Sequence, residues 1–332
     1  MEKEQAHAKQ NSDTQPLLSV RNITKTFPAG KSLLGKKRLV HAVNDISFDI
    51  YAGETFSIVG ESGCGKSTTG RMINHLLPCD EGEIWFEGQN IPALSEKQMR
   101  PLRNDIQMIF QDPNASLNPR MRVEDIVAEP LLVHTNMSRE DRLQKARELL
   151  QIVGLSEAHA RRWPHEFSGG QRQRIGIARA LSVRPKLVIA DEPVSSLDVS
   201  IQAQVLNLLQ QLQKDYSLTY LFISHDLSVV EMISDRIAVM YLGSVVETAP
   251  KKELYANPKH PYTKALLSVV PIPNPHDTRK KEILQGDIPS TINLPVGCPF
   301  QTRCPKCQLD CKQGKIPTQD LGDGHKVACL HI

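Results

Sequence analysis

The chain has 332 residues, of which 40% are hydrophobic, so it is long enough for one large domain with an appendage or for two domains. A formal net charge of +3 is close to balance and gives no support to nucleic acid as the main partner. No apolar run approaches the ~18 residues that span a bilayer. The polar residues 1–15 lack the pattern of a secretory signal and predict a disordered N-terminal tail on a cytoplasmic protein.

The first predicted elements are two strands joined by a basic loop. Leu17 to Asn22 is typical of a strand, and a Gly/Lys-rich loop follows through Lys31 and Lys36 to Arg38. A second strand begins near Val40 and continues in the alternating pattern of Ile46 to Ile50. The basic loop is interpreted as a solvated turn.

The next stretch carries a phosphate-binding pattern. Gly60-Glu61-Ser62-Gly63-Cys64-Gly65-Lys66-Ser67-Thr68 fits G-x-x-x-x-G-K-[ST] without a mismatch, between a predicted buried strand, Thr55–Val59, and a predicted helix, Ser67–Leu77. Backbone N–H groups and the helix dipole favour an anion in such a loop. The pattern therefore predicts a nucleotide site in which Lys66 reaches the outer phosphates and the Ser67 hydroxyl ligates Mg²⁺.

Two further strands precede a turn-rich stretch. Glu83–Glu87 is predicted as a strand, and Ile106–Phe110 as a buried strand that ends at Gln111. Residues 112–119 are rich in turn formers. A Gln beside a magnesium nucleotide can contact the metal or the attacking water, but a Gln taken alone is more often a surface residue.

A helical block follows, and we predict that it is a subdomain over about 112–184, inserted into an α/β core. Its helices are predicted at Val123–Val133, at Arg139–Val153 and from about Gly170. Phe167-Ser168-Gly169-Gly170-Gln171 precedes the third helix, where Ser168 is a good N-cap. The exposed helix start is a candidate second anion site; the alternative is an ordinary glycine-containing cap.

Acidic residues follow the next buried strand, Lys186–Ala190. Asp191 stands where a Mg²⁺-orienting carboxylate belongs, and Glu192 is placed to take a proton from the attacking water. The remaining predicted elements are a polar turn at Ser195–Asp198, a helix at Ile201–Tyr216, a strand at Leu218–Ile223 that ends before His225, and two closing strands at Arg236–Tyr241 and Ser244–Thr248.

Taken in order, these motifs resemble the ATP-binding subunit of ABC transporters over about Leu17 to Ala256. The resemblance implies an α/β P-loop NTPase core with antiparallel β structure and an inserted helical subdomain, over residues 16–257. It implies ATP and Mg²⁺ as ligands. It also implies that two such subunits sandwich two ATP molecules head to tail.

The same resemblance implies a role for each motif residue. Phe27 stacks on adenine, Asp198 links the two sites of the dimer, and Phe167 stands where Leu is commoner in the family. The implied catalytic residues are Lys66, Gln111, Glu192 and His225; the implied magnesium ligands are Ser67, Gln111 and Asp191; the residues implied to contact the partner's nucleotide are Ser168, Gly169, Gly170 and Gln171.

Residues 258–332 resemble the C-terminal region of oligopeptide and dipeptide importer ATPases, closest to the F-type subunit of dipeptide importers. The motifs are His260–Leu267, Asp287–Ser290 and Gly297–Phe300. The resemblance implies a homologous D-type ATPase partner, two transmembrane permease subunits, an extracytoplasmic solute-binding protein and a place at the cytoplasmic face of the membrane. Alternatives are import of nickel chelates or other small solutes, a soluble ABC ATPase in translation or DNA repair, and a regulatory subunit that binds ATP without hydrolysis.

Five of the seven cysteines lie in this C-terminal extension (residues 258–332). The last thirty-five residues, which contain all five, hold too few apolar residues for a core of their own. A segment of fewer than ~40 residues usually needs a metal or a covalent staple. The candidates are a [4Fe–4S] cluster, a tetrahedral zinc ion and free buried thiols. The family resemblance points to an iron–sulfur cluster on Cys298, Cys304, Cys311 and Cys329, with Cys307 as a bystander.

Overall fold

The computed structural model describes residues 15–31, 37–270, 284, 286–287 and 289–332. Residues 1–14 of the predicted tail, the middle of the basic loop and Ile288 lie outside the described residues. Among the helices of the described ranges, none combines the length and apolar character that crossing a membrane requires. The chain forms two compact units, one from the residues up to Pro92 together with His225–Ile332, the other from Ala93–Ser224.

The elements are numbered along the chain. The strands are β1 (Leu18–Lys31), β2 (Lys37–Ile50), β3 (Thr55–Val59), β4 (Glu81–Phe86), β5 (Gln89–Asn90), β6 (Ile106–Ile109), β7 (Leu187–Asp191), β8 (Thr219–Ser224), β9 (Arg236–Tyr241), β10 (Ser244–Pro250), β11 (Gln319–Asp320) and β12 (Lys326–Val327). The helices are α1 (Lys66–Ile73), α2 (Glu96–Asp105), α3 (Pro113–Ser116), α4 (Val123–His134), α5 (Arg139–Ile152), α6 (Gly169–Leu181), α7 (Val199–Tyr216), α8 (Leu227–Ile233), α9 (Lys251–Ala256) and α10 (Pro261–Ser268).

The first unit holds strands of two sheets. One sheet is antiparallel, in the order β2-β1-β4-β5, with Leu18 opposite Ile50. The strands of the other follow the order β11-β12-β10-β9-β3, in which β3 runs parallel to β9. Every residue of β3 is buried, because the strand is covered on both faces.

The second unit holds the parallel strands β8, β7 and β6, in that order. Helices α4, α5 and α6 come between β6 and β7 in the chain and pack on one another through buried apolar side chains. The predicted α/β class, with added antiparallel strands and an inserted block of helices, is therefore confirmed.

Two predicted boundaries at the start of the chain were wrong. The first strand does not end at Asn22 but continues to Lys31, and Arg38 lies in β2 rather than in a loop. Asn22 has a φ of 49° and lies at a register shift between Val20 and Ile23, so the hairpin contains a bulge. The bulge breaks the apolar alternation from which the strand was predicted.

The helical predictions were more accurate in the second unit than in the first. Helices α4, α5 and α6 confirm the three predicted there. Helix α1 ends at Ile73 rather than Leu77, before His75 with a φ of 53°. The short helix α3 occupies part of the predicted turn segment. Helix α2 was not predicted, because it is mostly polar and contains Pro101, although the capping box of Ser95 marks its start.

Within the first unit, a buried carboxylate fixes the C-terminal extension to strand β10. Glu247 of β10 is 1% exposed and accepts hydrogen bonds from the Lys259 N–H (2.7 Å), the His260 N–H (2.9 Å) and His325 Nε2 (2.8 Å). Glu247 also lies opposite Val327, where β12 pairs with β10. The Glu247 carboxylate thus joins β10 to residues 259–260 and to His325. These hydrogen bonds offset the cost of burying a carboxylate.

His260 is the N-cap of α10, and its Nδ1 accepts the Tyr262 N–H at 3.1 Å. Burial lowers the pKa of His260 from 6.5 to about 4. Between pH 6.5 and about 4, the His260 imidazole is therefore protonated in the unfolded chain but neutral in the folded chain. Stability from this group is present above pH 6.5 and is lost as the pH falls toward about 4.

We expect the unfolding free energy of the protein to fall by about 1.4 kcal/mol per pH unit from His260 alone between pH 6.5 and about 4. His260→Asn keeps a side-chain acceptor for the cap but removes the titrating ring. Denaturant unfolding of both proteins across this range measures the difference. Parallel pH profiles for the two proteins would contradict the assignment.

Candidate functional site

The phosphate loop lies between β3 and α1, and Lys66 closes it from within. The Lys66 side chain is buried, and its Nζ donates to the carbonyl oxygens of Gly60 (2.8 Å) and Glu61 (3.0 Å). The ammonium group is therefore held at the centre of its own loop. A cation in this position, at the start of a helix, attracts anionic oxygens.

Two glycines fit the loop against neighbouring strands. Gly60 has a φ of 156°, and a Cβ there would overlap with the Met240 carbonyl of β9. Gly65 has a φ of 105°, and its Cβ would overlap with the Ala42 carbonyl of β2. The path of the loop is thus fixed by backbone that only glycine can approach so closely.

Cys64 packs inside the loop. It is 5% exposed, and its Sγ lies 3.9 Å from Lys66 Nζ. Its N–H donates to the Glu61 carbonyl (3.3 Å), and its carbonyl accepts from Gly243 (3.0 Å). Burial raises the pKa of the Cys64 thiol, so this thiol reacts more slowly than an exposed one.

The other predicted site residues of the first unit lie on α1, on β1 and just before α8. Ser67 and Thr68 are half-buried in the first turn of α1. Phe27 is half-buried on β1, with Lys25 Nζ 5.7 Å from its ring centroid. His225 is exposed and comes directly before Asp226, the N-cap of α8.

In the second unit, the structure brings Gln111 and Glu192 together. Gln111 follows β6, Glu192 follows β7, and Gln111 Nε2 donates to Glu192 Oε2 at 2.9 Å. Glu192 has a φ of 46°, a left-handed conformation that costs a non-glycine residue about 1–2 kcal/mol. Asp191, the last residue of β7, is 1% exposed. Both carboxylates therefore lie at the carboxyl end of a parallel strand, where α/β proteins commonly bind ligands.

Ser168 begins α6 with a capping box. Its Oγ accepts the Gln171 N–H (3.4 Å), and Gln171 Oε1 accepts the Ser168 N–H (3.0 Å). Ser168 and Gly169 are exposed, and a side chain at Gly170 would meet Ile201. Asp198, the N-cap of α7, is also exposed. In a single chain, the start of α6 is thus held by its capping box and exposed to solvent.

Four cysteines of the C-terminal extension line one pocket: Cys298, Cys304, Cys311 and Cys329. Cys307 is not among the lining residues. Burial, with a smaller contribution from the three neighbouring thiols, raises the pKa of Cys298 to about 11. The four residues offer the soft sulfur donors that iron–sulfur clusters and zinc both accept.

His331 also lines this pocket and was not predicted. Its Nε2 lies 2.9 Å from Asp310 Oδ1, and the potential ligand atoms of Asp310, Cys311 and His331 all lie within 4.8 Å of one another. Its position two residues after Cys329 was the available signal in the sequence.

Family comparisons match two regions of the chain. Residues 43–195 match the description "ABC transporter". Residues 246–311 match "Oligopeptide/dipeptide transporter, C-terminal region". The second region contains α9 and α10 and four of the five cysteines of the C-terminal extension.

Curated relatives are similar over nearly their whole length. The putative oligopeptide transport ATP-binding protein YkfD of Bacillus subtilis (strain 168) is 52% identical, over 95% of this chain and 95% of its own. The dipeptide transport ATP-binding protein DppF of Escherichia coli (strain K12) is 48% identical, over 96% of this chain and 95% of its own. A solved structure, described as the ATP-binding cassette MJ0796 in a dimeric post-hydrolysis state bound to ADP and Pi, is similar with a TM-score of 0.64 and 31% identity. The similarity extends over 70% of this chain and 98% of the MJ0796 chain.

We expect Gly65→Ala to destabilise the protein more than Gly63→Ala. Both positions have positive φ, so either change costs about 1–2 kcal/mol of backbone strain. Only the Cβ at Gly65 meets neighbouring backbone, which adds about 1–3 kcal/mol, whereas that at Gly63 meets nothing within 4 Å. Thermal unfolding without nucleotide measures both, and equal losses would contradict the close approach of the loop to β2.

Proposed function

This chain belongs to the ABC transporter family of ATPases, and from that membership we propose that it energises the import of di- and oligopeptides. The observation that carries the proposal is a complete phosphate loop, with Lys66 buried at its centre, in a chain that also matches the oligopeptide/dipeptide C-terminal region. The relatives from B. subtilis and E. coli are named for oligopeptide and dipeptide transport. We assign the ATP-binding domain to residues 16–257, its helical subdomain to about 112–184 and the extension to 258–332.

In the proposed binding step, the loop N–H groups and Lys66 bind the β- and γ-phosphates, and Phe27 stacks on the adenine. Ser67, Gln111 and Asp191 each offer an oxygen donor of the kind that Mg²⁺ prefers. Magnesium supplies positive charge that offsets the charge of the triphosphate. The buried ammonium of Lys66 exchanges its two carbonyl partners for phosphate oxygens as the nucleotide enters.

In the proposed hydrolysis step, Glu192 accepts a proton from the attacking water. The hydrogen bond from Gln111 orients its carboxylate, and the left-handed backbone at Glu192 sets the direction of the side chain. His225 donates to the γ-phosphate. Catalysis of this kind rests mainly on positioning and on stabilising charge in the transition state.

We propose that ATP closes a head-to-tail dimer in which Ser168, Gly169, Gly170 and Gln171 contact the nucleotide of the partner. The exposed start of α6 supports this, because the helix dipole favours a phosphate there. Asp198 links the two sites. The similar cassette MJ0796 was itself solved as a dimer, which supports the same arrangement.

The proposed complex is a heterodimer of this chain with a homologous D-type ATPase subunit. It docks at the cytoplasmic face of the membrane on two permease subunits, which receive peptide from an extracytoplasmic solute-binding protein. Dimer closure and reopening pass to the permeases through the segment near Gln111–Met121. The names of the relatives, as ATP-binding proteins for transport, support this assignment.

We propose further that the cysteine pocket holds a [4Fe–4S] cluster on Cys298, Cys304, Cys311 and Cys329. The four residues line one pocket, and Cys307 lies outside its lining. Such a cluster would cross-link the cysteine-containing segment, which has little apolar core of its own. It would also make the segment sensitive to oxidation and reduction. Tetrahedral zinc remains the alternative occupant for the same donors.

We expect Glu192→Gln to bind ATP, to trap the closed dimer and to hydrolyse ATP at least about 100-fold more slowly, because the proton acceptor is lost. Lys66→Ala is the matched comparison, since it removes a phosphate ligand and should lose ATP binding as well as turnover. Nucleotide binding, ATPase rate and peptide uptake are measured with the permeases and the solute-binding protein in lipid vesicles. Wild-type protein that neither hydrolyses ATP nor drives uptake there would refute the function, and normal turnover by Glu192→Gln would refute its role.

We expect anaerobically purified protein to show the broad visible absorption of an iron–sulfur cluster. Cys304→Ser should lose it, because the variant removes one of four ligands, whereas Cys307→Ser should keep it. Metal analysis on the same samples distinguishes iron from zinc. Stoichiometric zinc, or neither metal, would contradict the iron–sulfur assignment.

A further inference from the structure

Glu61, the second residue of the phosphate loop, is held by two residues of the C-terminal extension. Arg303 Nη1 lies 3.0 Å from Glu61 Oε2 and 3.2 Å from Oε1. The Glu61 N–H donates to the Tyr262 hydroxyl at 3.0 Å. The side chain and the backbone of Glu61 therefore both bond to the C-terminal extension. All three residues belong to the same compact unit.

These two contacts rest on a buried aromatic cluster. The rings of Tyr241, Tyr262 and Phe300 lie 4.7–5.4 Å apart between centroids, and each is at most 1% exposed. Arg303 lies against this cluster, with its guanidinium carbon 5.9 Å from the Tyr241 ring centroid. A side chain packed in this way has little freedom left to lose when it forms an ion pair.

The charge of Glu61 makes this contact relevant to nucleotide binding. A carboxylate in a phosphate loop repels the triphosphate that the loop binds, and the repulsion is strong where water is partly excluded. The Arg303 side chain is only 8% exposed and Glu61 is 25% exposed, so the pair is screened less than a surface pair. The guanidinium offsets the carboxylate and fixes it by two hydrogen bonds.

We propose that Arg303 is a positioning residue for ATP binding: it neutralises Glu61 and, with Tyr262, fixes the first turn of the phosphate loop. The proposal rests on the proposed function, because it takes the nucleotide to bind at this loop. Arg303 does not itself contact the nucleotide; it acts through Glu61. The C-terminal extension is thus part of the support of the ATP site.

The test is a double-mutant cycle on the full chain, read out as the ATP dissociation constant measured with a fluorescent ATP analogue. Arg303→Met should weaken ATP binding by about tenfold, on the scale of couplings between neighbouring groups. Arg303→Lys keeps the positive charge and should weaken binding much less. Arg303→Met combined with Glu61→Gln should bind within about threefold of Glu61→Gln alone, because no uncompensated carboxylate remains.

Lys315→Met is the matched control. Lys315 also belongs to the extension and pairs with Asp45 of β2, so this variant breaks an ion pair between the extension and the rest of the unit without touching Glu61. It should bind ATP as wild type does. Thermal unfolding of each variant checks that it is folded. If Arg303→Met is unfolded, Arg303→Gln takes its place, because it also removes the positive charge and should weaken ATP binding in the same way.

Each outcome decides one question. Wild-type protein that binds no ATP would overturn the proposed function, and this inference with it. Normal ATP binding by wild type and by Arg303→Met would overturn the inference alone. A loss in Arg303→Met that Glu61→Gln does not relieve would show that Arg303 acts through packing, and it would equally overturn the inference.

Discussion

The close approach of the phosphate loop to the carbonyl groups of β2 and β9 is the constraint on which the rest of the first unit depends. Gly60 and Gly65 permit that approach, because neither presents a Cβ to those carbonyls. The approach in turn fixes where Lys66 points and where α1 begins. A loop made rigid by its neighbours loses little freedom when it binds an anion, so less of the binding energy is spent on ordering it.

Much of this organisation could be predicted from local sequence. The phosphate loop, β3 and the helices α4 to α6 each carry a pattern within a few consecutive residues. The pairing of Gln111 with Glu192 follows the same logic, because both lie just beyond the carboxyl ends of neighbouring parallel strands. Such strands place their carboxyl ends at one edge of a sheet, so residues far apart in sequence become neighbours in a regular way.

What could not be predicted depends on irregular backbone or on packing between distant segments. The bulge at Asn22 interrupts the alternation that marks a strand, and helix α2 is too polar to show an apolar stripe. The contacts of Glu61 with Arg303 and Tyr262 arise from an aromatic cluster that three separate segments build. His331 enters the cysteine pocket through the folding of the last residues of the chain, which no spacing rule for cysteines includes.

The pairing of Glu61 with Arg303 also restricts how these proteins can change over time. The two residues are 242 positions apart, and under the role proposed for Arg303 an acid at the second place of the loop depends on this distant cation to offset its charge. A cassette that lost its extension by truncation would have to replace the acid as well. The two positions should therefore be inherited together or exchanged together, as a single electrostatic unit.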